Sequence, residues 1–375
     1  MKFPEKLAQK LQKRQEMDAF RKLYVNSNLV DFCSNDYLGL SQNAQLRQHI
    51  EAELLQNAYQ IGATGSRLIS GNSQYVQNLE KYLSSIFKSP AALIFNSGYQ
   101  ANTALLSALP QKGELILADQ HIHASLKEGI RLSFAEKFYF KHNNLDDLEK
   151  KLQKSHVPTY VLVESVYSMD GDEADLEKTA QICEKYEAYL IVDEAHSTGI
   201  WGKNGNGLCC EKGISNKIFA RLYTFGKAIG SHGACVAGSQ MLVDYLINFA
   251  NPFIYTTALP YHSLLSIQKS FEFIAQNPDL KGILFQKIAF FQEIASKKGI
   301  FLPKNNTPIQ IVKIGGNTKT KKIAQELQKI GFDVRPILSP TVAEGNELLR
   351  ICLHTFNTEN QVEELLEQIR LLLKD

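Results

Sequence analysis

A lysine and an aspartate that each follow an apolar run are the residues of this sequence best suited to chemistry. Lys227 comes after the run 218–223, and Asp193 closes the run 189–192. A lysine amine can form a Schiff base with the aldehyde of pyridoxal phosphate, and a carboxylate can keep the pyridine nitrogen protonated so that the ring accepts electrons. Together the two residues predict a pyridoxal phosphate site, which neither would predict alone.

A phosphate position is predicted near the same lysine. Ser97 and Gly98 follow the apolar run 91–95 and should open a helix, whose free N–H groups favour an anion. A plain helix cap is the alternative interpretation of these two residues. Thr224 lies three residues before Lys227, close enough for its hydroxyl to hold a phosphate while the lysine holds the aldehyde.

Two histidines also follow apolar runs. In an open parallel sheet, ligands bind beyond the carboxyl ends of the strands. His123 follows the run 115–118 and is suited to lie flat on a planar ring, although a lone histidine is more often structural. His196 shares the turn after Asp193 and can reach the phenolic oxygen of the cofactor. The order Asp-Glu-x-His lacks a second histidine at helical spacing, so no metal is predicted.

Composition narrows the class of protein. The chain has 375 residues, 44% of them hydrophobic, with 41 basic and 39 acidic side chains. This near-balance predicts small-molecule ligands rather than nucleic acid, and the lack of a membrane-length apolar stretch or signal-peptide core predicts a cytoplasmic protein. The six cysteines are interpreted as reduced thiols, and a redox role for the adjacent Cys209 and Cys210 stays open.

The order of apolar runs predicts the fold. Strand-like runs alternate with helical patterns from about residue 90 to 240, which is typical of an α/β domain with a mostly parallel sheet covered on both faces. We expect an N-terminal amphipathic helix and arm over 1–45, a large cofactor-binding domain over 46–280, and a small α+β domain over 281–375.

Eight motifs together resemble the α-oxoamine synthases, which are pyridoxal phosphate enzymes of fold type I. They occur in the order expected for that family, from Ser34-Asn35-Asp36-Tyr37-Leu38-Gly39-Leu40 through 62–72, Ser97-Gly98-Tyr99-x-Ala101-Asn102, His123-Ala124-Ser125, 168–172, 192–196 and Thr224-x-x-Lys227 to Thr257-Ala258-Leu259-Pro260. The resemblance covers residues 14 to 355, nearly the whole chain.

The resemblance implies a role for each matching residue. It implies Lys227 as the Schiff-base lysine, Asp193 at the pyridine nitrogen, and His123 stacked on the ring as a catalytic group. The remaining cofactor contacts it implies are Gly98, Tyr99, Ser168, His196, Thr224 and Thr257. It places Asn35 and Arg350 near the amino-acid carboxylate, and Arg21 and Thr341 at the acyl substrate. His123 would also touch the substrate.

The resemblance also implies partners. The loop 62–71 and the stretch 339–345 favour family members that condense L-alanine with pimeloyl-CoA or a pimeloyl-carrier protein over members that use glycine. The family is homodimeric, which implies that Thr256 and Thr257 reach the partner's phosphate. The acyl donor itself is left undecided by the sequence.

Other functions are weighed against this one. An α-oxoamine synthase that uses glycine or serine with another acyl-CoA would keep the same cofactor residues, and an aminotransferase would share Lys227 and Asp193. A nicotinamide dehydrogenase is disfavoured because no Gly-x-Gly-x-x-Gly is followed by an acidic residue at the required spacing. A binding module without catalysis is the remaining alternative.

Overall fold

The computed structural model describes residues 3–23, 25 and 28–374. The helices of these residues are α1 (Glu5–Glu16), α2 (Ala44–Gln56), α3 (Gln74–Ile86), α4 (Gly98–Ala108), α5 (Ala124–Leu132), α6 (Leu145–Leu152), α7 (Leu176–Lys185), α8 (Leu208–Glu211), α9 (Gln240–Phe249), α10 (Asn251–Ile254), α11 (Tyr261–Gln276), α12 (Asp279–Lys297), α13 (Asn317–Lys329) and α14 (Glu359–Lys374). The strands are β1 (Val30–Asp31), β2 (Ala91–Phe95), β3 (Leu115–Asp119), β4 (Glu136–Phe140), β5 (Thr159–Glu164), β6 (Tyr189–Asp193), β7 (Ala220–Thr224), β8 (Ala234–Gly238), β9 (Ile309–Lys313), β10 (Phe332–Asp333), β11 (Arg335–Ile337) and β12 (Leu348–Cys352).

The chain divides into two compact units. We call the one that comprises Leu38–Ser168 and Asp172–Lys281 the large unit, and the one that comprises Met1–Tyr37, Met169–Gly171 and Gly282–Asp375 the small unit. The described residues up to Tyr37 therefore group with the C-terminal segment. The expected division into an arm, a large domain and a small domain at 45 and 280 stays a prediction.

A seven-stranded sheet forms the centre of the large unit, in the order β2-β8-β7-β6-β5-β3-β4. All neighbours are parallel except β8, which runs antiparallel to both β7 and β2. The strand-like runs predicted from about residue 90 to 240 correspond to strands of this sheet, so the predicted mostly parallel α/β architecture is confirmed.

Burial explains why these strands are continuously apolar. All residues of β3, β5 and β7 are buried, as expected for strands covered by helices on both faces. The strand β4 lies at the edge of the sheet and exposes its first four residues, which include Glu136 and Lys137. Charged residues on an edge strand discourage pairing with another chain.

The small unit contains a three-stranded antiparallel sheet in the order β11-β12-β9. Its strands β9 and β12 and the helices α13 and α14 follow apolar patterns in the sequence, whereas β11, Arg335-Pro336-Ile337, has no apolar run. The short strand β1 pairs in parallel with β10, with Val30 opposite Phe332.

The predicted N-terminal amphipathic helix forms as α1, but its apolar side is not buried. Phe3, Leu7 and Leu11 are 58%, 46% and 48% exposed, and α1 has no buried residue. Among the helices of residues 3–23, 25 and 28–374, none combines the length and the apolar character that crossing a membrane requires.

Candidate active site

Lys227 lies at a cavity of about 240 Å³ in the large unit. The lysine is half-buried in the turn after β7, and its Nζ is 2.9 Å from Nε2 of His196. The predicted site residues that line the cavity with it are Gly98, Tyr99, His123, Asp193, His196 and Thr224. The sheet therefore brings together groups that lie up to 129 positions apart in the sequence (98 to 227).

Asp193 ends β6 and is only 5% exposed. Its Oδ2 accepts a hydrogen bond from Nδ2 of Asn102 at 2.7 Å, and its Oδ1 accepts one from the Ala195 N–H at 2.9 Å. Burying a carboxylate is costly unless charged or hydrogen-bonded partners compensate the lost hydration. A protonated ring nitrogen in the cavity would supply the cationic partner that suits this group.

His123 caps the start of α5 and is exposed at the cavity. Its Nδ1 accepts a hydrogen bond from the Ser125 N–H at 3.2 Å and lies 2.7 Å from the Ser125 hydroxyl. Lost hydration of the ring lowers the pKa of His123; the negative charge of Asp193 opposes this shift, and the positive charge of Lys227 adds to it. An open ring face of a neutral imidazole is suited to stack on a planar cofactor.

The predicted phosphate end lies at the start of α4. Ser97 caps this helix by accepting a hydrogen bond from the Gln100 N–H at 3.2 Å, so the N–H groups of Gly98 and Tyr99 have no acceptor within the helix. A side chain at Gly98 would place its Cβ 2.4 Å from Cγ2 of Thr224. The glycine thus keeps open the space between the helix terminus and the threonine hydroxyl, where an anion would fit.

Two predicted cofactor residues lie outside the lining of this cavity. Ser168 is buried, and its N–H donates to Oε2 of Glu164 at 3.2 Å. The carbonyl of Thr257 accepts a hydrogen bond from Nδ2 of Asn96 at 2.7 Å. Asn96 directly precedes the cap residue Ser97. Their roles as cofactor contacts stay predictions.

Four polar lining residues were not predicted from the sequence, namely Asn102, Ser125, Glu164 and His232. Asn102 and Ser125 occur within motifs of the family resemblance, but motif membership alone did not distinguish a buried polar group from a surface one. The available signal was spacing, since Asn102 is four residues after Gly98 and therefore lies on the same face of α4.

Glu164 is the carboxylate next to Asp193 in the sheet. The two residues are register partners on β5 and β6, and Glu164 is 2% exposed. Burial and the nearby negative charge of Asp193 raise the pKa of Glu164 to about 8. Glu164 also accepts hydrogen bonds from the N–H groups of His123 and Ser168, so it ties together the two loops that carry these residues.

Apart from His123, which lies in the large unit, the predicted substrate residues lie in the small unit and form two pairs. Nη2 of Arg350 donates to Oδ1 of Asn35 at 3.0 Å, and Nη2 of Arg21 donates to Oγ1 of Thr341 at 3.4 Å. The first pair was predicted at the amino-acid carboxylate and the second at the acyl group. Each predicted pair is therefore brought together inside this unit.

The adjacent cysteines are buried. All six cysteines are free, and burial raises the pKa of both Cys209 and Cys210. A thiol with a raised pKa forms little thiolate and is a poor nucleophile, so the pair has the properties of core residues.

The residues of the large unit fit pyridoxal phosphate. A half-buried amine, a buried carboxylate, a helix N-terminus with free N–H groups and an open imidazole face meet at one cavity. On a mostly parallel sheet, this set defines a pyridoxal-phosphate-dependent transferase of fold type I.

The comparisons with known proteins agree. The profile of the family described as aminotransferase class I and II matches residues 27–369, and the chain belongs to this family. It is 38% identical over 389 residues to the 8-amino-7-oxononanoate synthase of Emericella nidulans, with 97% of this chain and 94% of that protein covered. The resemblance to the α-oxoamine synthases is thereby confirmed.

Solved structures show the same fold. The crystal structure of 8-amino-7-oxononanoate synthase from Francisella tularensis superposes with a TM-score of 0.81 at 32% identity, covering 93% of this chain and 99% of that one. A serine palmitoyltransferase with pyridoxal phosphate superposes with a TM-score of 0.88 at 25% identity, covering 98% and 96%.

Proposed function

We propose that this protein is a pyridoxal-phosphate-dependent acyltransferase that condenses L-alanine with a pimeloyl thioester. The products are 8-amino-7-oxononanoate, carbon dioxide and the free thiol, and the reaction belongs to biotin biosynthesis. The observation that carries the proposal is the cavity shared by Lys227 and Asp193. The 38% identity of the chain to the 8-amino-7-oxononanoate synthase of Emericella nidulans supports it.

The residues of the large unit would hold the cofactor and move protons. Bound pyridoxal phosphate supplies an aldehyde for Lys227 and a protonated ring that accepts the electrons released at the α-carbon of the substrate. Asp193 keeps the proton on the ring nitrogen, because its buried carboxylate favours a cation beside it. The Lys227 amine removes the α-proton of alanine and later returns a proton to the product.

The phosphate and the ring oxygen have their own contacts in the proposal. The Gly98 and Tyr99 N–H groups and the Thr224 hydroxyl hold the phosphate. His196, whose Nε2 lies 2.9 Å from Lys227 Nζ, donates to the phenolic oxygen, and Ser168 lies near the ring. These contacts would hold the ring in one orientation, so that the Lys227 amine would be positioned to move a proton at the α-carbon of the substrate.

The small unit would bind the substrates. We assign Asn35 and Arg350 to the carboxylate of alanine, because a guanidinium can bind a carboxylate with two parallel hydrogen bonds. Arg21 and Thr341 would contact the acyl chain of the thioester. Their pairing supports these assignments, since each pair already places a donor and its expected neighbour side by side.

A product assay tests the proposed reaction. Purified protein with pyridoxal phosphate, L-alanine and pimeloyl-CoA should yield 8-amino-7-oxononanoate by mass spectrometry, together with one thiol and one carbon dioxide per product. Borohydride reduction followed by peptide mapping should find the cofactor attached to Lys227. Attachment at another lysine, or undiminished activity in Lys227→Ala, would refute the assignment of Lys227. Lys217→Ala is the matched control, because Lys217 pairs with Glu184 at the surface.

A substrate panel separates this reaction from its rivals. Glycine and serine, each with acyl-CoA donors of different chain length, test the other α-oxoamine synthase reactions, of which serine palmitoyltransferase is represented among the structural neighbours. Pimeloyl-CoA and the pimeloyl-carrier protein should be compared as donors in the same panel. An aminotransferase would release pyruvate from alanine without a thioester, and a binding module would take up cofactor without any turnover.

A homodimer is part of the proposal. Several large apolar side chains of the large unit are exposed, among them Ile61 at 92%, Ile69 at 84% and Tyr255 at 81%, and exposed apolar patches mark association surfaces. Tyr255 directly precedes Thr256 and Thr257, the residues expected at the partner's phosphate. Tyr255→Asp should shift sedimentation from dimer to monomer, whereas Phe134→Asp, at an 83% exposed site near β4, should not.

We also propose a cytoplasmic location without nucleic-acid or membrane partners. A net charge of +2 and the balanced distribution of basic and acidic residues support it. Cell fractionation should recover the protein with cytoplasmic enzymes, and recovery with membranes would contradict this part of the proposal.

A further inference from the structure

Four side chains of the large unit form a continuous hydrogen-bonded chain. Nδ2 of Asn102 lies 2.7 Å from Oδ2 of Asp193 and 3.0 Å from Oγ of Ser125. The Ser125 hydroxyl in turn lies 2.7 Å from Nδ1 of His123. The carboxylate expected at the ring nitrogen is thus connected to the imidazole expected on the ring face.

The two middle members of this chain lie inside an apolar helix pair. Asn102 on α4 is 2% exposed and Ser125 on α5 is 1% exposed, among neighbours such as Ala101, Leu105 and Leu126. The helices approach closely, since a side chain at Gly129 would place its Cβ 2.9 Å from the Asn102 carbonyl oxygen. A polar pair in such surroundings is costly to keep unless it serves a defined arrangement.

The donors and acceptors along the chain have one consistent direction. A carboxylate only accepts, so the Asn102 amide must present its NH₂ group to Asp193. The second N–H of that group points to Ser125 Oγ, and the hydroxyl hydrogen of Ser125 can be donated to Nδ1 of His123. The Ser125 backbone N–H also donates to Nδ1 at 3.2 Å. Nδ1 therefore accepts twice and carries no proton.

An unpaired acceptor among the four hydrogen-bonded side chains supports this direction of donors and acceptors. Oδ1 of Asn102 is buried and has no hydrogen-bond partner among the residues that the structure describes. Turning the amide over would move this oxygen next to the Asp193 carboxylate, where two acceptors would face each other. The contact with Asp193 thus sets the amide orientation, even though the amide oxygen is left without a donor.

We propose that Asn102 and Ser125 are positioning residues that hold His123 as a neutral imidazole with its proton on Nε2. This inference rests on the proposed roles of Asp193 and His123. A proton on Nδ1 of His123 would point at the Ser125 backbone N–H, which is a fixed donor 3.2 Å away. The lowered pKa of His123 agrees with this arrangement.

The tautomer defines what His123 can do for a bound substrate. A neutral imidazole with its only proton on Nε2 donates a hydrogen bond toward the cavity, but releasing that proton would leave an imidazolate. His123 is therefore a hydrogen-bond donor to the reacting groups rather than a proton-releasing acid. Proton transfer at the α-carbon then falls to Lys227.

Nitrogen NMR of the cofactor-loaded enzyme tests the tautomer directly. The full-length protein labelled with ¹⁵N-histidine has nine histidines, and the His123 signals are assigned by their loss in His123→Gln. We expect an unprotonated Nδ1 and a protonated Nε2 in the wild type. A proton on Nδ1 overturns the proposal without any further variant, and so does a doubly protonated ring at neutral pH.

Variants of Asn102 and Ser125 give a sharper test of the tautomer of His123. In Asn102→Ala the Ser125 oxygen loses the Asn102 donor and has both lone pairs available, so Nδ1-protonated His123 should become detectable. Adding Ser125→Ala removes that acceptor while the backbone N–H remains, so the double variant should return toward the Nε2-protonated form. A purely structural effect of Asn102 would not be reversed by a second deletion. Ser107→Ala is the control, because it removes a hydroxyl on the same helix that donates to the Ala104 carbonyl.

A change in the tautomer of His123 should be accompanied by a change in kcat. In Asn102→Ala we expect kcat with alanine and pimeloyl-CoA to fall about ten-fold with little change in KM, a modest part of the usual contribution of a positioned donor. A tautomer change with unaltered kcat would refute the positioning role, as would a double variant that is worse by the product of both single losses. The NMR result requires no substrate, so it stands or falls separately from the proposed reaction.

Discussion

The candidate cofactor residues and the candidate substrate residues are positioned in different ways. In the large unit, Asp193 ends one strand of the central sheet and His123 and Lys227 follow two others, and hydrogen bonds between neighbouring strands fix the strand ends. In the small unit, each candidate pair joins segments that are far apart in the chain, by 315 positions for Asn35 and Arg350 and by 320 for Arg21 and Thr341.

This difference predicts how substitutions in each of the two sets of residues will affect activity. A cofactor residue is held by its strand, by buried neighbours and by several hydrogen bonds, so its backbone position does not depend on a single contact. The pair Arg21 and Thr341 is exposed, and only the bond at 3.4 Å joins their side chains directly. We therefore expect substitutions on the cofactor side to affect catalysis itself, and those on the substrate side to affect substrate affinity.

The largest effect is expected for Asp193→Ala. Removing the buried carboxylate takes away the partner of the ring nitrogen, so the ring loses its ability to accept electrons, and Asn102 loses its acceptor. We expect kcat to fall on the order of 10³-fold, with the cofactor still attached to Lys227 when it is supplied in excess. Steady-state assays and the visible absorbance of the attached cofactor measure the two effects separately.

The control for this variant is Asp175→Ala, which removes a carboxylate that caps α7. It should leave kcat within about two-fold, because helix caps contribute mainly to stability. Full activity in Asp193→Ala would remove the carboxylate from the mechanism and would erase the proposed distinction between the two sets of residues.

The strands of the central sheet could be predicted from the sequence, because strands that are buried on both faces are continuous apolar runs. The runs that precede Asp193 and Lys227 could be located as strands, and the rule that ligands bind at strand ends then selected these residues. The short strand β11 gave no such signal, since Arg335-Pro336-Ile337 is half-buried and interrupted by proline.

Side-chain networks could not be predicted in the same way. Asn102 and Glu164 look like ordinary polar residues of a helix and a strand, and only the packing of α4 against α5 and of β5 against β6 shows what they contact. The pairing of Asn35 with Arg350 likewise depends on tertiary structure, so only the family resemblance could place both at one substrate group.

Arg350→Ala should give the next largest effect and should sharpen the comparison. If Arg350 binds the carboxylate of alanine, removing a charge-assisted bidentate contact raises KM for alanine about 10- to 100-fold. The absorbance of the attached cofactor and KM for the thioester should stay close to the wild-type values. A titration of initial rate against alanine concentration measures this effect.

A neighbouring arginine provides the control. Arg335 lies opposite Arg350 on the paired strand and forms an ion pair with Asp333 at 2.8 Å. Arg335→Ala should leave KM for alanine unchanged, whereas a rise equal to that of Arg350→Ala would indicate a general effect on the small unit instead of a specific contact.

Glu164→Gln probes the buried network of the large unit through pH. The pKa of Glu164 is raised from its ordinary value of 4.5 to about 8, so the folded protein retains a proton that the unfolded chain has lost between these values. The stability contributed by this proton is present below pH 4.5 and is lost as the pH rises to about 8. The slope is at most about 1.4 kcal/mol per pH unit.

Urea unfolding of both proteins from pH 5 to pH 8 measures the effect. The glutamine cannot ionise, so the difference in unfolding free energy should move in favour of Glu164→Gln as the pH rises. A constant offset is expected besides, because the amide offers one acceptor where Glu164 serves two backbone N–H groups. A difference that does not vary with pH would show that Glu164 is already ionised at pH 5.

Arg21→Ala should give the smallest effect, because Arg21 is exposed and its contact with Thr341 is long. An exposed polar contact contributes less than about 1 kcal/mol, so KM for pimeloyl-CoA should rise about three-fold while kcat and KM for alanine stay unchanged. Arg14→Ala, on the exposed helix α1, is the control for loss of positive charge near the N-terminus. A loss of kcat comparable to that of Asp193→Ala would abolish the distinction between cofactor and substrate residues, since Arg21 would then act on the chemistry rather than on acyl binding. A rise confined to donors with a terminal carboxylate would instead identify the group that Arg21 binds.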